Sequence, residues 1–388
     1  MNPESNFEVS LLSHGDYHPG GVLDAVRRLL APLGGMKRFV SSGSRVLLKP
    51  NLVLGKPTAR AVNTHPEIVR AAAVLAFEAG AARVAVGDSP GYGTAGSAAR
   101  ACGLAAVTAE LGLELIEFTP AEKISRDRAF PRLELAREML AAEVVINLPK
   151  MKTHSQMLMT LAVKNLFGAV PGARKLQWHY RAGRDRLLFA RALNEIALAV
   201  RPALSILDAV VGMDGRGPTA GRARPVGFLA AGADPWAVDA AVMDVLGVER
   251  TLLFTLAAAS EYGPRGWEGV RILGAAPESL RPADWTIPEL ETLQMHGGIV
   301  ERHLPRLAAW LRSRISPKPI PGPKCVVCGR CVEICPAKAM RLDHRKVAIN
   351  DSDCVRCYCC HELCPYEGMN IVSGGLLARL LGLYTGVR

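Results

Sequence analysis

Nine of the ten cysteines lie between positions 325 and 364. In order they read Cys325-x2-Cys328-x2-Cys331-x3-Cys335-Pro336, then Cys354-x2-Cys357-x2-Cys360-x3-Cys364-Pro365. Thiolates at this spacing do iron–sulfur chemistry: three wrap one face of a cubane in a tight loop, and the x3-Pro turn sends the fourth away. In two-cluster proteins with this run, the fourth cysteine of each run ligates the other cluster. The expected sets are Cys325, Cys328, Cys331 and Cys364 for one 4Fe–4S cluster, and Cys354, Cys357, Cys360 and Cys335 for a second. Two runs of four, each ending in proline, do not suit zinc, which prefers paired Cys-x2-Cys units. A disulfide framework belongs to secreted chains, and the Met-Asn-Pro-Glu-Ser-Asn-Phe-Glu start carries no signal pattern. Cys359 falls out of register and reads as a non-ligand thiol; Cys102, in Ala-Arg-Ala-Cys-Gly, reads as a small core residue.

The elements that must position this chemistry come in two blocks. Residues 1–314 alternate short apolar runs with helical patterns. Strands are expected at 45–49, 83–87, 113–118, 143–148, 204–208 and 226–231, and helices at 22–33, 66–79, 96–111, 186–199 and 235–246. That alternation predicts an α/β domain: a mostly parallel sheet with helices on both faces. A helical segment over 289–314 closes it. Residues 315–324, with four prolines, read as a semi-rigid linker. A small α+β dicluster ferredoxin domain follows over 325–372, then an amphipathic C-terminal helix over 373–388. That helix suits packing back onto the protein better than a membrane-surface role.

The strand ends of the large domain carry the second set of candidates. One run leads into Lys49-Pro50-Asn51, another into Gly87-Asp88-Ser89-Pro90-Gly91, and a third into Lys150-Met-Lys152-Thr153-His154. Asp208 and Asp234 end two more, and Lys164-Asn165 follows on a helical stretch expected over 157–166. Ligands of open α/β sheets bind at the carboxyl ends of the strands. A shared polar cleft for a small anionic ligand is therefore expected. Lys150, Lys152, His154 and Lys164 are its candidate catalytic residues, and Lys49, Asn51, Asp88, Ser89, Thr153, Asn165, Asp208 and Asp234 its candidate binding residues. Each has a plainer alternative. Asp234 before Pro235 makes a good helix cap, Asp88-Ser89 an Asx-turn, His154 a structural histidine, and Lys164-Asn165 part of a solvated helix face.

Gly91-Tyr-Gly93-Thr-Ala-Gly96 matches a dinucleotide fingerprint, with Glu117 as the ribose acid. Asp88-Ser-Pro90 separates the strand from the first glycine, and the distance to Glu117 is too long, so a glycine-rich turn is the better reading. Walker A and H-E-x-x-H patterns are absent.

Composition sets the boundaries. The chain has 388 residues, 49% hydrophobic and 21% charged, which excludes disordered and fibrous classes. No uncharged apolar run is long enough to span a membrane, so a cytoplasmic protein with little membrane contact is expected. The net charge of +11 is spread along the chain. Its densest cluster, Arg181, Arg184, Arg186 and Arg191, comes without an aromatic-interleaved array or a known DNA-reading motif, so nucleic acid is not expected as a partner. From 316 to 388, ten Lys or Arg face six Asp or Glu. The thiolates and two cubane cores together carry about −4, which leaves the loaded segment near neutral and suits clusters that serve their own chain.

The chain resembles the family named domain of unknown function 362, in its version fused to a C-terminal ferredoxin domain. The resemblance rests on Lys49-Pro-Asn51, Thr64-His-Pro66, Gly87-Asp-Ser-Pro-Gly91, Leu148-Pro-Lys-Met-Lys-Thr-His154, Thr160-Leu-Ala-Val-Lys-Asn-Leu-Phe-Gly168, Ile206-Leu-Asp208, Gly215-Arg-Gly-Pro218 and Ala237-Val-Asp-Ala240. It covers essentially the whole chain and implies the fold and the clusters, but no reaction. Two readings of function follow: clusters exchanging electrons between an external protein and an anionic substrate in the cleft, or a non-catalytic electron-transfer partner whose α/β domain docks another protein. Activation of a metal in the cleft is a weaker third, because the cleft is rich in lysine and poor in histidine and cysteine.

Overall fold

The computed structural model describes residues 7–125, 127, 129–262, 267, 269–287 and 317–372. They divide into two units, one of residues 1–178 and 185–287, the other of residues 179–184 and 288–388. The helical segments expected over 289–314 and 373–388 lie outside the described residues.

The strands of the first unit are β1 (Glu8–Ser13), β2 (Arg45–Pro50), β3 (Arg83–Gly87), β4 (Glu114–Ile116), β5 (Pro120–Ile124), β6 (Arg132–Ala136), β7 (Val144–Leu148), β8 (Lys150–His154), β9 (Leu158–Thr160), β10 (Leu204–Asp214), β11 (Arg222–Gly232) and β12 (Arg271–Gly274). Its helices are α1 (Pro19–Leu30), α2 (Pro66–Glu78), α3 (Ala95–Ala101), α4 (Leu104–Glu110), α5 (Arg137–Ala141), α6 (Ala162–Asn165), α7 (Arg174–Ala182, shared with the second unit), α8 (Arg186–Val200), α9 (Pro235–Leu246) and α10 (Phe254–Tyr262). The main sheet has the order β12-β1-β11-β10-β7-β2-β3-β4, with β8 and β9 branching from β10. Strands β10, β7, β2, β3 and β4 run parallel, and β11 pairs antiparallel with both β10 and β1. The fold is the expected mostly parallel α/β sheet.

The parallel core follows from sequence. Val144–Leu148 is buried at every position, as strands covered on both faces must be. Alternate side chains then go to opposite layers. Val46, Leu48, Val84, Val86, Ile146 and Ile206 pack with Val22, Leu29, Ile68, Ala72 and Val107, placing α1 to α4 on one face. On the other, α9 lies against β1, β10 and β11. It is tied to α8 by Trp236 Nε1–H donating to Asn194 Oδ1 at 3.0 Å, and Asn194 in turn donates to the Thr255 carbonyl of α10 at 3.0 Å. Each fully buried leucine or valine contributes about 1.5–3 kcal/mol.

Three expectations change. The single helix over 96–111 is two helices, because Gly103 takes the left-handed conformation (φ 79°) between them. Within 157–166, residues 158–160 form β9 and only 162–165 are helical, since Leu158 (φ 67°) turns the chain back to pair with β8. Part of the expected 315–324 linker, Lys318–Pro321, is strand β13, antiparallel to β16 (Met369–Val372). Between them the second unit holds α11 (Arg330–Glu333), the hairpin of β14 (Met340–Asp343) and β15 (Lys346–Ile349), and α12 (Cys359–Glu362).

At Gly103, an alanine must adopt the same left-handed backbone, at a cost of about 1–2 kcal/mol. Gly103→Ala should lower the urea midpoint of the first unit accordingly, without changing the iron content of the chain.

Candidate functional site

Strand ends of the sheet bring most of the candidate polar residues together. Lys150 and Lys152 share a face of β8, with Met151 and Thr153 on the other, by the two-residue repeat of a strand. Lys150 is buried and its Nζ pairs with Asp208 Oδ2 at 2.8 Å. The same amine donates to Tyr17 Oη at 2.7 Å, and Tyr17 donates to Asp208 Oδ1 at 2.7 Å. The His65 backbone N–H completes Asp208 at 3.0 Å, and the His65 ring stacks on Tyr17 at 3.6 Å. Strand β10 bulges between Ala209 and Val211, and Tyr17 accepts the Val211 N–H at 3.0 Å. Burial and Asp208 push the Tyr17 phenol up, so it remains a donor. Burial and then Lys150 pull the His65 ring down to about 4, against the pull of Asp208, so it is neutral near pH 7.

Lys49 makes the parallel pair one strand over, with Asp88 Oδ1 at 2.7 Å and both side chains buried. Asp88 Oδ2 accepts the Leu52 N–H at 2.7 Å, and Oδ1 accepts that of Ser89 at 2.9 Å. Gly168 presses on this pair: a Cβ there would collide with Asp88 Oδ1 and Lys49 Nζ. Asn165 joins the two halves, accepting from Asn51 Nδ2 at 2.7 Å and donating to Asn147 Oδ1 at 2.8 Å. Burial lowers Lys49 and Lys150, and their carboxylates pull back against it.

Lys152 differs. It is fully buried, and its Nζ donates to Asn51 Oδ1 and, at 2.7 Å, to the Val62 carbonyl, with no carboxylate among the described residues in reach of an ion pair. Burial, then the charges of Lys164 and Lys150, hold its amine well below the usual value. Lys164 is half-buried with its amine over the rings of Phe167 and Phe189 (4.9 and 5.5 Å). Lys175, at the start of α7, is buried and donates to the Val170 carbonyl. Burial lowers it to about 7, with Asp88 opposing and Lys49 and Lys164 adding to the effect. Five lysines thus feel one another around two paired carboxylates.

Other candidates lie off this centre. Thr153 Oγ1 donates to the Gly215 carbonyl at 3.0 Å and pins the β10–β11 turn. His154 Nδ1 accepts the Gln156 and Met157 N–H groups at 3.1 and 3.2 Å, the structural alternative. Ser89 Oγ accepts the Gly172 N–H at 2.8 Å. Asp234 caps α9, accepting the Ala237 N–H at 2.9 Å before Pro235. The dinucleotide alternative fails for a direct reason: Glu117 already accepts the Ala95 and Gly96 N–H groups, at 3.2 and 3.0 Å, that a phosphate would need. Sequence reasoning missed Tyr17, His65 and Lys175. It also missed Asp239, buried on α9, which accepts the Ala162 N–H at 2.6 Å and orients α6. The quoted Thr64-His-Pro66 and Ala237-Val-Asp-Ala240 blocks were signals for His65 and Asp239, and neither block contains Tyr17 or Lys175.

In the second unit the two cysteine runs fold alike. Val327 and Arg356 are both left-handed (φ 55° and 57°), as are Gly329 and Tyr358, and Lys338 and Glu367. The backbone N–H of Ala339 donates to Cys335 Sγ at 3.3 Å, and that of Gly368 to Cys364 Sγ at 3.2 Å. Cys325, Cys328, Cys331 and Cys364 line one cavity together with Tyr366 and Met369. Cys335 neighbours Cys357 and Cys354, and Cys360 neighbours Cys357 and Cys354 as well. Cys359 is buried, and its hydrogen bond to Cys357, with burial, pushes its thiol well up.

Residues 46–244 match the family described as domain of unknown function (DUF362), and residues 324–367 match a 4Fe–4S dicluster domain. A thylakoid-associated protein of Synechocystis sp. is 42% identical over 284 residues, 73% of this chain and 88% of its own length. The chain belongs to the DUF362 family. A solved structure from Thermotoga maritima aligns with the DUF362 chain at TM-score 0.37 and 10% identity, spanning 52% of each chain and so about half the length of that protein; at that level it carries no argument. The C-terminal region of this DUF362 member is an iron–sulfur electron-transfer module that binds 4Fe–4S clusters. Among the described residues, no helix is long and apolar enough to cross a membrane.

Removing one partner of a buried ion pair strands the other charge, at about 3–5 kcal/mol. Asp208→Asn should lower stability by that amount in chemical denaturation. Lys150→Met combined with Asp208→Leu should recover more than half of the loss.

Proposed function

We propose that the chain is an iron–sulfur oxidoreductase. Two 4Fe–4S clusters, one on Cys325, Cys328, Cys331 and Cys364 and the other on Cys354, Cys357, Cys360 and Cys335, exchange single electrons between an external protein and a small anionic ligand held by the lysines of the first unit. The paired geometry of the two runs and the cavity lined by the first four cysteines support the cluster sets. The clusters supply one-electron transfer; this chain's residues supply binding and protons. The observation that carries the ligand reading is Lys152: a fully buried amine, flanked by Lys164 and Lys150, without an ion-pair carboxylate. An excess of buried ammonium groups is costly unless an anion joins them or they lose protons. Lys152 and Lys175 bind the anion in this reading, and half-buried Lys164 delivers the proton that accompanies each electron onto the ligand. Asn51 and Asn165 hold Lys152 in place, and the Lys49–Asp88 and Lys150–Asp208 pairs form the frame.

Those two pairs also favour a second reading. Lys49 and Lys150 are already neutralised from within, as in a module that docks another protein and binds no ligand. In both readings the chain is cytoplasmic with a protein electron partner. The thylakoid association of the Synechocystis relative supports a partner at a membrane surface.

The two readings part on anion binding and its proton balance. With Lys175 near 7 against an ordinary 10.5, the folded chain binds fewer protons than the unfolded one between those values. Stability therefore rises with pH across that window. A bound anion restores the ammonium charge, flattens that rise and takes up protons at pH 8. Calorimetry in buffers of different ionisation enthalpy, with inorganic phosphate, pyrophosphate, sulfate and short-chain carboxylates as probes, should find at least one that binds with proton uptake. Lys152→Met should weaken that binding about 100-fold or more and leave iron content and dithionite reduction unchanged. If no probe binds, or Lys152→Met binds as wild type, the docking reading replaces this one.

A further inference from the structure

The two cysteine loops share a backbone, and one of them buries an arginine between its first two cysteines. Arg356, between Cys354 and Cys357, has a side chain only 2% exposed. One terminal nitrogen, Nη2, pairs with Asp351. Among the described residues, Nε and Nη1 are buried with no hydrogen-bond partner. A buried guanidinium leaves N–H groups undonated only at a high cost, so they mark an acceptor yet to be counted. Cys354 neighbours the same side chain. The equivalent position of the other loop is Val327, with the same left-handed backbone and no donor.

On the two-cluster reading above, we propose that Arg356 sets the potential of the cluster held by Cys354, Cys357, Cys360 and Cys335. Its Nε–H and Nη1–H donate to sulfur there and hold that cluster at a higher reduction potential than its partner.

The effect of Arg356 is electrostatic. One added electron takes a cubane from 2+ to 1+, so with its four thiolates the cluster goes from −2 to about −3. A guanidinium at hydrogen-bond distance favours the more negative state. Asp351 does not cancel it, because that carboxylate is half exposed and also pairs with Lys318. Backbone donors to sulfur match between the halves, at Cys335 and Cys364, so they do not separate the two clusters. Burial works the other way: Cys357 and Cys360 are buried, Cys328 exposed, and desolvation disfavours the −3 state. The same burial removes the water that would screen Arg356, so the contact charge prevails. An electron arriving at the exposed cluster then passes downhill. That cluster returns from 1+ to 2+, and the Arg356 cluster goes from 2+ to 1+. The external reductant is a low-potential one-electron donor protein.

An EPR-monitored redox titration of the anaerobic full-length chain tests this. The expected result is two one-electron waves. Arg356→Val should lower only the higher wave, by at least about tenfold in its reduction equilibrium, about 59 mV for one electron. Asp351→Asn, which releases the guanidinium from its carboxylate, should raise that same wave. An iron-replete Arg356→Val chain with both waves in place, or with only the lower one moved, overturns the proposal. Should Arg356→Val fail to hold iron, Asp351→Asn decides, and waves unchanged there overturn it too. Failure of the two-cluster reading is a separate result: wild-type chain with one wave and half the expected iron.

Discussion

Burying a lysine is permitted only if its charge is met or given up, and that constraint organises the large unit. Lys150, Asp208 and Tyr17 close a triangle in which every short contact is a hydrogen bond. Much local backbone exists to make it possible. The β8 strand branches from β10 so that Lys150 lies opposite Asp208. The bulge after Asp208 frees the Val211 N–H for Tyr17. The Lys49–Asp88 pair imposes the same discipline on its surroundings, since only a glycine fits at position 168. What these pairs leave over is a local surplus of amines at Lys152 and Lys175, and that surplus is the chemically interesting part of the network.

The small unit meets its constraint by repetition. Each loop uses left-handed residues to turn three cysteines toward a common centre, and each fourth cysteine accepts a backbone N–H on sulfur. Glycine serves where the backbone must approach closely: a Cβ at Gly368 would meet the Cys325 backbone at under 3 Å. Repetition produces equal sites, so any functional inequality has to come from substitutions within the repeat. Arg356 against Val327 is one such substitution, and it is buried.

Legibility in the sequence followed the range of the interactions. Apolar runs fixed the parallel strands 45–49, 83–87 and 143–148 because their burial is a local property of composition. Strand β8 was hidden, since Lys-Met-Lys-Thr-His has no strand-like composition and becomes a strand only by pairing with β10 and β9. Lys49, Asn51, Asp88, Lys150, Lys152, Asn165 and Asp208 could be grouped in advance, because strand ends in a parallel sheet converge. Tyr17 could not: it meets Asp208 from 191 positions away, and no spacing rule connects them. Thr153 lies apart from this group because strand alternation turns it away from its lysine neighbours. Asp234 took the helix-cap role that Pro235 had offered, whereas Ser89 binds the distant Gly172 N–H.

Electrons counted against iron test the two-cluster centre most directly. Chain purified without oxygen should contain roughly eight irons. In a coulometric dithionite titration it should accept about two electrons, and acid extraction should release a small anionic molecule. Fully loaded chain with about four irons that takes up a single electron would contradict it.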